Sequence, residues 1–291
     1  MTDRGEGSTW RALLARHGPL LLPCAHDALS ARLIERAGFA AYSIGGFPLV
    51  GARHALPDIG LVGYGEMSAG VRDIMAASGL PVLVDADDGY GDAKNVARTV
   101  EGYEAIGAAA IFIEDQRAPK RCGHMAGKEI IEADIMAGKI RAAAAARRKL
   151  FLIARTDARA VHGLDEALRR AELYLKSGAD GLFIEAPHSI DELRRIGSAF
   201  AGVPQLANML EGGRTPMAAP DELYRLGFAM VAYPTTLIFR IARTIEKALA
   251  DMKRGTLAIE HEGVDFETFK DITGLARWAE TEERAAERGP S

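Results

Sequence analysis

Cysteine is almost absent: Cys24 and Cys122 are the only two in 291 residues, so the chain can form one disulfide at most. That is too few to staple a secreted scaffold and fits a reducing compartment. Positive charge is not in excess, since 36 Lys and Arg face 40 Asp and Glu for a formal net charge of −4. Without a basic field to follow a phosphate backbone, nucleic acid is not an expected partner. No apolar run approaches the ~18 residues of a membrane span, and the opening MTDRGEGSTW has no apolar core ahead of a cleavage site. The expectation is a cytoplasmic protein with no membrane partner. Internal repeats and low-complexity tracts are also missing, as is a Gly-rich dinucleotide turn behind any strand.

What is present is a soluble composition, 48% apolar and 26% charged, arranged in a regular alternation. Eight short β-type runs (PLLLPCA, AAYSIGG, PVLVDAD, AAIFIED, LFLIART, DGLFIEA, PQLANM and AMVAYP) are separated by stretches of helical spacing such as SARLIERAG, NVARTVEGYEAIG and LDEALRRAELYLKSG. Runs such as IFI and LFLI are continuously apolar, as strands covered on both faces must be. Eight strand-then-helix units predict a parallel (β/α)8 TIM-type barrel over residues 1–253, in preference to an open doubly wound sheet. KIRAAAAARRKL reads as a helix with a basic end. Residues 254–291 form an extra C-terminal helical segment, with Phe266, Phe269, Ile272 and Leu275 at spacings of three, packed on its own barrel or exchanged with another subunit.

In such a barrel the carboxyl ends of the strands converge on one mouth. Here they carry Asp85 and Asp87, Glu114 and Asp115, Arg155 and Asp157, Glu185, and Asn208. Any single one is commonly an N-cap, but this many together imply chemistry. Asp85 and Asp87, two apart in an extended chain, point the same way and repel unless a cation sits between them. Oxygen ligands without paired histidines suit a hard ion, Mg²⁺ or Mn²⁺, with Glu114 and the loop residue Asp58 as further contributors. Cys24, inside an apolar strand, reads as structural. Cys122 lies between Lys120, Arg121 and His124, which favour its thiolate, and beside Gly123, which lets the loop bend; it has no CxxC partner and is a candidate nucleophile or proton donor.

DADDGYG, EDQRAPKRCGH and IARTDA together resemble the isocitrate lyase and phosphoenolpyruvate mutase superfamily, from about Cys24 to Tyr233, and FETFKDITG is similar to its carboxyl-terminal region. The KRCGH pentapeptide resembles that of the carbon–carbon lyases. The resemblance implies a Mg²⁺ enzyme in which Asp85 binds the ion and Asp58, Asp87 and Glu114 hold its waters. It further implies Cys122 as general acid, with Lys120, Arg121, Gly123 and His124 around the substrate or the thiol. Arg155 would grip a keto-acid group, with Glu185 and Asn208 at further site positions, and the assembly would be a homotetramer exchanging C-terminal helices. YSIGGF stands where the lyases carry Tyr-x-Ser-Gly, so Ser43, Gly45 and Gly46 are the expected substrate contacts there, and Tyr42, Ser43 and Glu185 all stand as candidate bases.

The implied activity is cleavage of a branched 2-hydroxy dicarboxylate, similar to 2,3-dimethylmalate or 2-methylisocitrate, into pyruvate or a related keto acid plus a carboxylic acid. The substrate partner is thus a small di- or tricarboxylate. NMLEGG differs from the stretch expected of the methylisocitrate lyases and, with DADDGYG and CGHMAGK, looks more like the dimethylmalate lyases and the carboxyphosphonoenolpyruvate mutases. The alternatives are therefore phosphonomutase activity, or decarboxylation or hydrolysis of an oxaloacetate-like acid. A diacid sensor without turnover is a third class, but a sensor has no need of paired carboxylates, an arginine and an activated thiol at one mouth.

Overall fold

The computed structural model describes residues 10–121, 123, 127–256 and 262–287. Eight strands coincide with the eight apolar runs: Leu20–Pro23 (β1), Tyr42–Ile44 (β2), Val82–Asp85 (β3), Ala110–Glu114 (β4), Phe151–Thr156 (β5), Gly181–Ile184 (β6), Leu206–Asn208 (β7) and Met230–Tyr233 (β8). All ladders are parallel, β2 through β6 in sequence order and β7–β8–β1. Single parallel bridges, Cys24 to Ser43 and Leu182 to Gln205, join these two sheets at both seams and close the barrel.

Alternation along each strand sorts its side chains into two layers. Leu20, Leu22, Leu83, Ala110, Phe112, Phe151, Ile153, Phe183, Leu206 and Met230 fill the barrel interior, closed at its amino-terminal end by Trp10 from the helix Trp10–Arg16. Their neighbours Val82, Val84, Ile111, Ile113, Leu152, Ala154, Leu182 and Val231 face outward, in the larger core under the helices. This two-sided burial is why the runs read as continuous apolar stretches.

Expected helices appear at Ala28–Arg36, Tyr64–Ala76, Ala93–Ala105, Ala133–Ala146, Leu164–Lys176 and Ile190–Ala199. Gly107 and Gly178 follow two of them at φ +93° and +111°, conformations closed to most side chains. Four helices went unread in the pattern: Trp10–Arg16, Gly46–His54, Ala158–His162 and Pro220–Arg225. Gly46–His54 holds Gly46, Pro48 and Gly51, all poor helix formers; Pro48 is tolerated because it sits in the first turn, where its missing N–H is not needed.

The chain divides into compact units after Ile238. The helix Thr236–Arg254, most of it in the second unit, has Ile241, Ile245, Leu249 and Met252 exposed at helical spacing. Gly274, at φ +76°, then separates the helices Phe266–Thr273 and Leu275–Glu287, so the stripe of three-residue spacing is broken before Leu275. Among the described residues no helix is long and apolar enough to cross a membrane.

Candidate active site

The interior parity of the strands continues past their apolar floor. One step beyond Leu22, Leu83, Phe112, Ile153, Phe183 and Leu206 stand Cys24, Asp85, Glu114, Arg155, Glu185 and Asn208. These side chains form a polar layer over an aromatic base, with the Arg155 guanidinium 5.0 Å from the Phe183 ring centre and 5.8 Å from that of Phe112. Glu114 and Arg155 are register partners on β4 and β5, which sets Arg155 Nε 3.2 Å from Glu114 Oε2. Arg155 also binds Asp157 Oδ2 at 2.9 Å and approaches Glu185 Oε2 at 3.5 Å. Above this layer is a cavity of about 70 Å³, lined by Ser43, Gly45, Gly46, Asp58, Asp85, Lys120, Arg121, Gly123, Arg155 and Asn208 among others. That is room for several waters or a small carboxylate.

The two aspartates meet, but not by the route that the spacing predicts. Asp87 lies beyond the end of β3 at φ +49°, where the chain is no longer extended, and Asp85 Oδ1 accepts the Asp87 N–H at 2.9 Å. This side-chain turn, not the pleat, brings them together. Asp85 Oδ2 and Asp87 Oδ1 would each stand 3.4 Å from a Cβ at Gly46, so both carboxylates face one point. Lys120 Nζ reaches the same point, 2.6 Å from Asp58 Oδ1 and 2.5 Å from Asp87 Oδ1.

Around this centre six buried carboxylates, of Asp58, Asp85, Asp87, Glu114, Asp157 and Glu185, face three buried cations, Lys120, Lys128 and Arg155. The excess of negative charge is written into the acids. Burial first, then Asp87, pushes Asp85 above the usual carboxylate range against the pull of Lys120 and Arg155, and burial likewise raises Asp87 and, further, Glu114. Burial opposes the charges of Lys120 and Arg155 too, but the surrounding carboxylates outweigh it and hold both protonated. Glu114 Oε1 is buried without a hydrogen-bond partner. An all-oxygen donor set with an orphaned carboxylate oxygen and surplus negative charge fits a hard divalent cation. Among the described residues no three acids, histidines or cysteines come close enough to grip an ion together.

Other expected site residues resolve as follows. Ser43 is buried and lines the cavity, and its side chain hydrogen-bonds the Cys24 sulfur. Gly45 and Gly46 line it as well, but their N–H groups are engaged within the protein, on Cys24 Sγ at 3.1 Å and Asp85 Oδ2 at 3.0 Å. Tyr42 has the opposite parity and packs under the helices, which removes it as a base. Glu185 accepts from the Ala186 N–H at 2.8 Å and from Asn208 Nδ2 at 3.2 Å. Cys24 is buried, with its thiol pushed up to about 11 by burial, as its structural reading requires. Cys122 and His124 lie outside the described residues.

Three residues were not foreseen. Gln116 holds the backbone of Arg121 with both ends of its amide, each at 2.9 Å. Thr235 is buried against the cavity with no hydrogen bond to its Oγ1, and Lys128 pairs with Asp157 at 2.6 Å. Asp157 itself was expected, as a polar residue at the end of β5; the other three sit in loops whose course no periodicity reveals.

The family model described as phosphoenolpyruvate phosphomutase matches residues 10–253. The chain belongs to that family. Over 280 residues it is 41% identical to 2,3-dimethylmalate lyase of Eubacterium barkeri, covering 95% of this chain and 96% of that one. It is 40% identical to a chloroplastic carboxyvinyl-carboxyphosphonate phosphorylmutase of Arabidopsis thaliana (94% and 82% covered). Identity is 39% to 2-methylisocitrate lyase of Bacillus subtilis (90% and 86%). Among solved structures, oxaloacetate acetylhydrolase with 3,3-difluorooxalacetate superposes with a TM-score of 0.91 at 29% identity, covering 96% of each chain. Phosphonopyruvate hydrolase with oxalate and Mg²⁺ superposes with a TM-score of 0.85 at 29% identity, covering 98% of this chain and 99% of that one. The family's barrel is the barrel seen here, and the chain is an enzyme of this lyase and mutase group.

Proposed function

We propose that this chain is a divalent-metal-dependent carbon–carbon lyase. It splits the C2–C3 bond of a branched 2-hydroxy dicarboxylate, similar to 2,3-dimethylmalate or 2-methylisocitrate, into pyruvate or a related keto acid and a second carboxylic acid. The observation that carries this reading is the convergence of Asp85, Asp87 and Lys120 on one point beside Arg155, with Glu114 Oε1 unpartnered in the same buried layer. Asp85 would hold Mg²⁺, or Mn²⁺, directly, and Asp58, Asp87 and Glu114 would hold it through water. Such an ion supplies Lewis-acid stabilisation of the oxygens that gain charge as the bond breaks.

The protein's own groups do the rest. Arg155 is rigid, always charged and presents paired donors, which suits it to clamp the carboxylate of the nascent keto acid. Ser43 and Glu185 are the remaining candidates to take the C2 hydroxyl proton. As that proton leaves, the C–O bond gains double-bond character and the C2–C3 pair departs with the second fragment. Cys122 then donates its proton to that carbanion, in a role worth roughly 10²–10⁴ in rate, with His124, Lys120 and Arg121 poising the thiol or the substrate. Phe47, Pro48, Leu210 and Pro234 on the cavity wall suit alkyl branches on that fragment.

A second reading, hydrolysis or decarboxylation of an oxaloacetate-like acid, is favoured by the likeness to oxaloacetate acetylhydrolase. Incubation with Mg²⁺ and a panel of hydroxy diacids and oxaloacetate separates the two. Keto acid released only from hydroxy diacids supports the lyase; oxalate with acetate, CO₂ or a phosphinate product overturns it. Cys122→Ser should abolish most turnover while leaving substrate affinity within about threefold, and undiminished turnover would remove Cys122 as proton donor. For assembly, the proposal is a homotetramer exchanging C-terminal helices, supported by the exposed Ile241, Ile245, Leu249 and Met252 face and testable by light scattering.

A further inference from the structure

Lys128 and Asp157 have no part in the chemistry above, yet their side chains are 2% and 0% exposed. A buried ion pair is seldom retained for stability alone, because apolar side chains of similar volume commonly serve as well. Here the pair is connected on both sides. Lys128 Nζ binds Asp157 Oδ1 at 2.6 Å and also donates to the carbonyl oxygen of Gly123. Asp157 Oδ2 accepts from Arg155 Nε at 2.9 Å and its Oδ1 from Arg155 Nη2 at 3.3 Å, while the Asp157 N–H is fixed by Asp115 Oδ1 at 2.9 Å.

The third element is Gly123. A Cβ at this position would stand 2.5 Å from Arg155 Nη2 and 2.8 Å from Glu185, closer than any side chain can sit. The backbone at Gly123 therefore lies directly on the two groups at the heart of the site, and the atom that secures it there is its own carbonyl oxygen, held by Lys128.

We propose that Lys128 and Asp157 are a positioning pair: Asp157 aims the Arg155 guanidinium, and Lys128 pins the Gly123 carbonyl so that the Gly123 backbone seats against Arg155 and Glu185. This deepens the functional proposal and rests on its assignment of Arg155 to the keto-acid group. A merely structural ion pair would affect stability and leave ligand geometry alone.

The test uses the full chain carrying Lys128→Met or Gly123→Ala. Three measurements are made: Mg²⁺-dependent oxalate affinity by calorimetry, kcat and KM on whichever hydroxy diacid is cleaved, and the rate of native tryptic cleavage after Arg121. Lys128→Met is expected to weaken oxalate about tenfold or more, the loss of one charge-assisted hydrogen bond, and to lower kcat more than it raises KM. Cleavage after Arg121 should quicken by about tenfold, since the Gly123 anchor is gone. Gly123→Ala should weaken oxalate by a similar factor with an unchanged melting temperature. Oxalate affinity and cleavage rate within about twofold of the parent in Lys128→Met would overturn the proposal. Should Lys128→Met fail to fold, Gly123→Ala decides, because its change lies in a loop. If the parent cleaves no hydroxy diacid, the lyase reading fails, while the oxalate and proteolysis arms still judge the pair; cleavage after Arg121 needs no ligand at all.

Discussion

Replacing Asp85 by Asn tests the cation site without any assumption about substrate. The substitution keeps the shape of the side chain and an oxygen to accept the Asp87 N–H, so the turn beyond β3 should survive. It removes one of the two carboxylate oxygens that face the point shared with Lys120. A ligand at a hundred times its Kd stabilises the native state by about 2.7 kcal/mol, or roughly 5–10 °C in Tm for a domain of this size. If Asp85 is the direct ligand, its loss should weaken the ion at least a hundredfold. The same Mg²⁺ concentration then stands near Kd and contributes only about 0.4 kcal/mol, a shift of ~1 °C. The assay is calorimetry of EDTA-treated protein with and without Mg²⁺ or Mn²⁺, with Asp191→Asn, an exposed acid far from any such cluster, as control. An Asp85→Asn protein that gains as many degrees as its parent, or a parent that gains none with either ion, would refute the reasoning.

Two further outcomes follow from buried groups. Burial pushes the Cys24 thiol up to about 11, so at pH 8 only about a thousandth of it is thiolate, and native protein should alkylate promptly at one thiol per chain. Cys24→Ser should leave that count at one and Cys122→Ser should reduce it to zero; two thiols reacting at equal pace would contradict the assignment. Asp115 accepts from Thr156 Oγ1 at 2.7 Å, the Asp157 N–H at 2.9 Å, Tyr174 at 2.9 Å and Arg170 at 3.1 Å. Asp115→Ala strands these donors in the interior and should cost about 3–5 kcal/mol, seen as a Tm drop of roughly 10 °C; a drop under about 2 °C would mean that the network is not structural.

The barrel was legible because its strands are covered on both faces, so that each appears as an unbroken apolar run ended by a polar residue. The site was legible for the same reason. Interior parity places Asp85, Glu114, Arg155, Glu185 and Asn208 one step above Leu83, Phe112, Ile153, Phe183 and Leu206, and period-2 reasoning alone carries that far. Parity also decides between neighbours: Ser43 faces the cavity and Tyr42 does not, a distinction available from the same alternation. Where the chain leaves the strands, periodicity stops helping. Asp87 reaches Asp85 through a left-handed turn, and the Gly- and Pro-bearing helix Gly46–His54 has a composition that disguises it.

Lys120 shows how a loop residue escapes its local pattern. Its basic neighbours suggest a residue that meets an anion of the substrate, yet in the structure its charge is already shared between Asp58 and Asp87. That placement depends on the closure of the chain between β4 and the Gln116 clamp on Arg121, which no local pattern encodes. The consequence is electrostatic. With its ammonium committed to two acids, Lys120 is poorly placed to neutralise a substrate as well, and Arg155, which still offers donors to a keto-acid carboxylate, has its charge already offset by Asp157 and Glu114. A dicarboxylate entering this cavity would therefore add negative charge to a layer that already has too much, unless a divalent ion enters with it. Ligand and metal should accordingly bind cooperatively, so that each tightens the other by the same factor, a reciprocity that thermodynamic linkage imposes whatever the substrate proves to be.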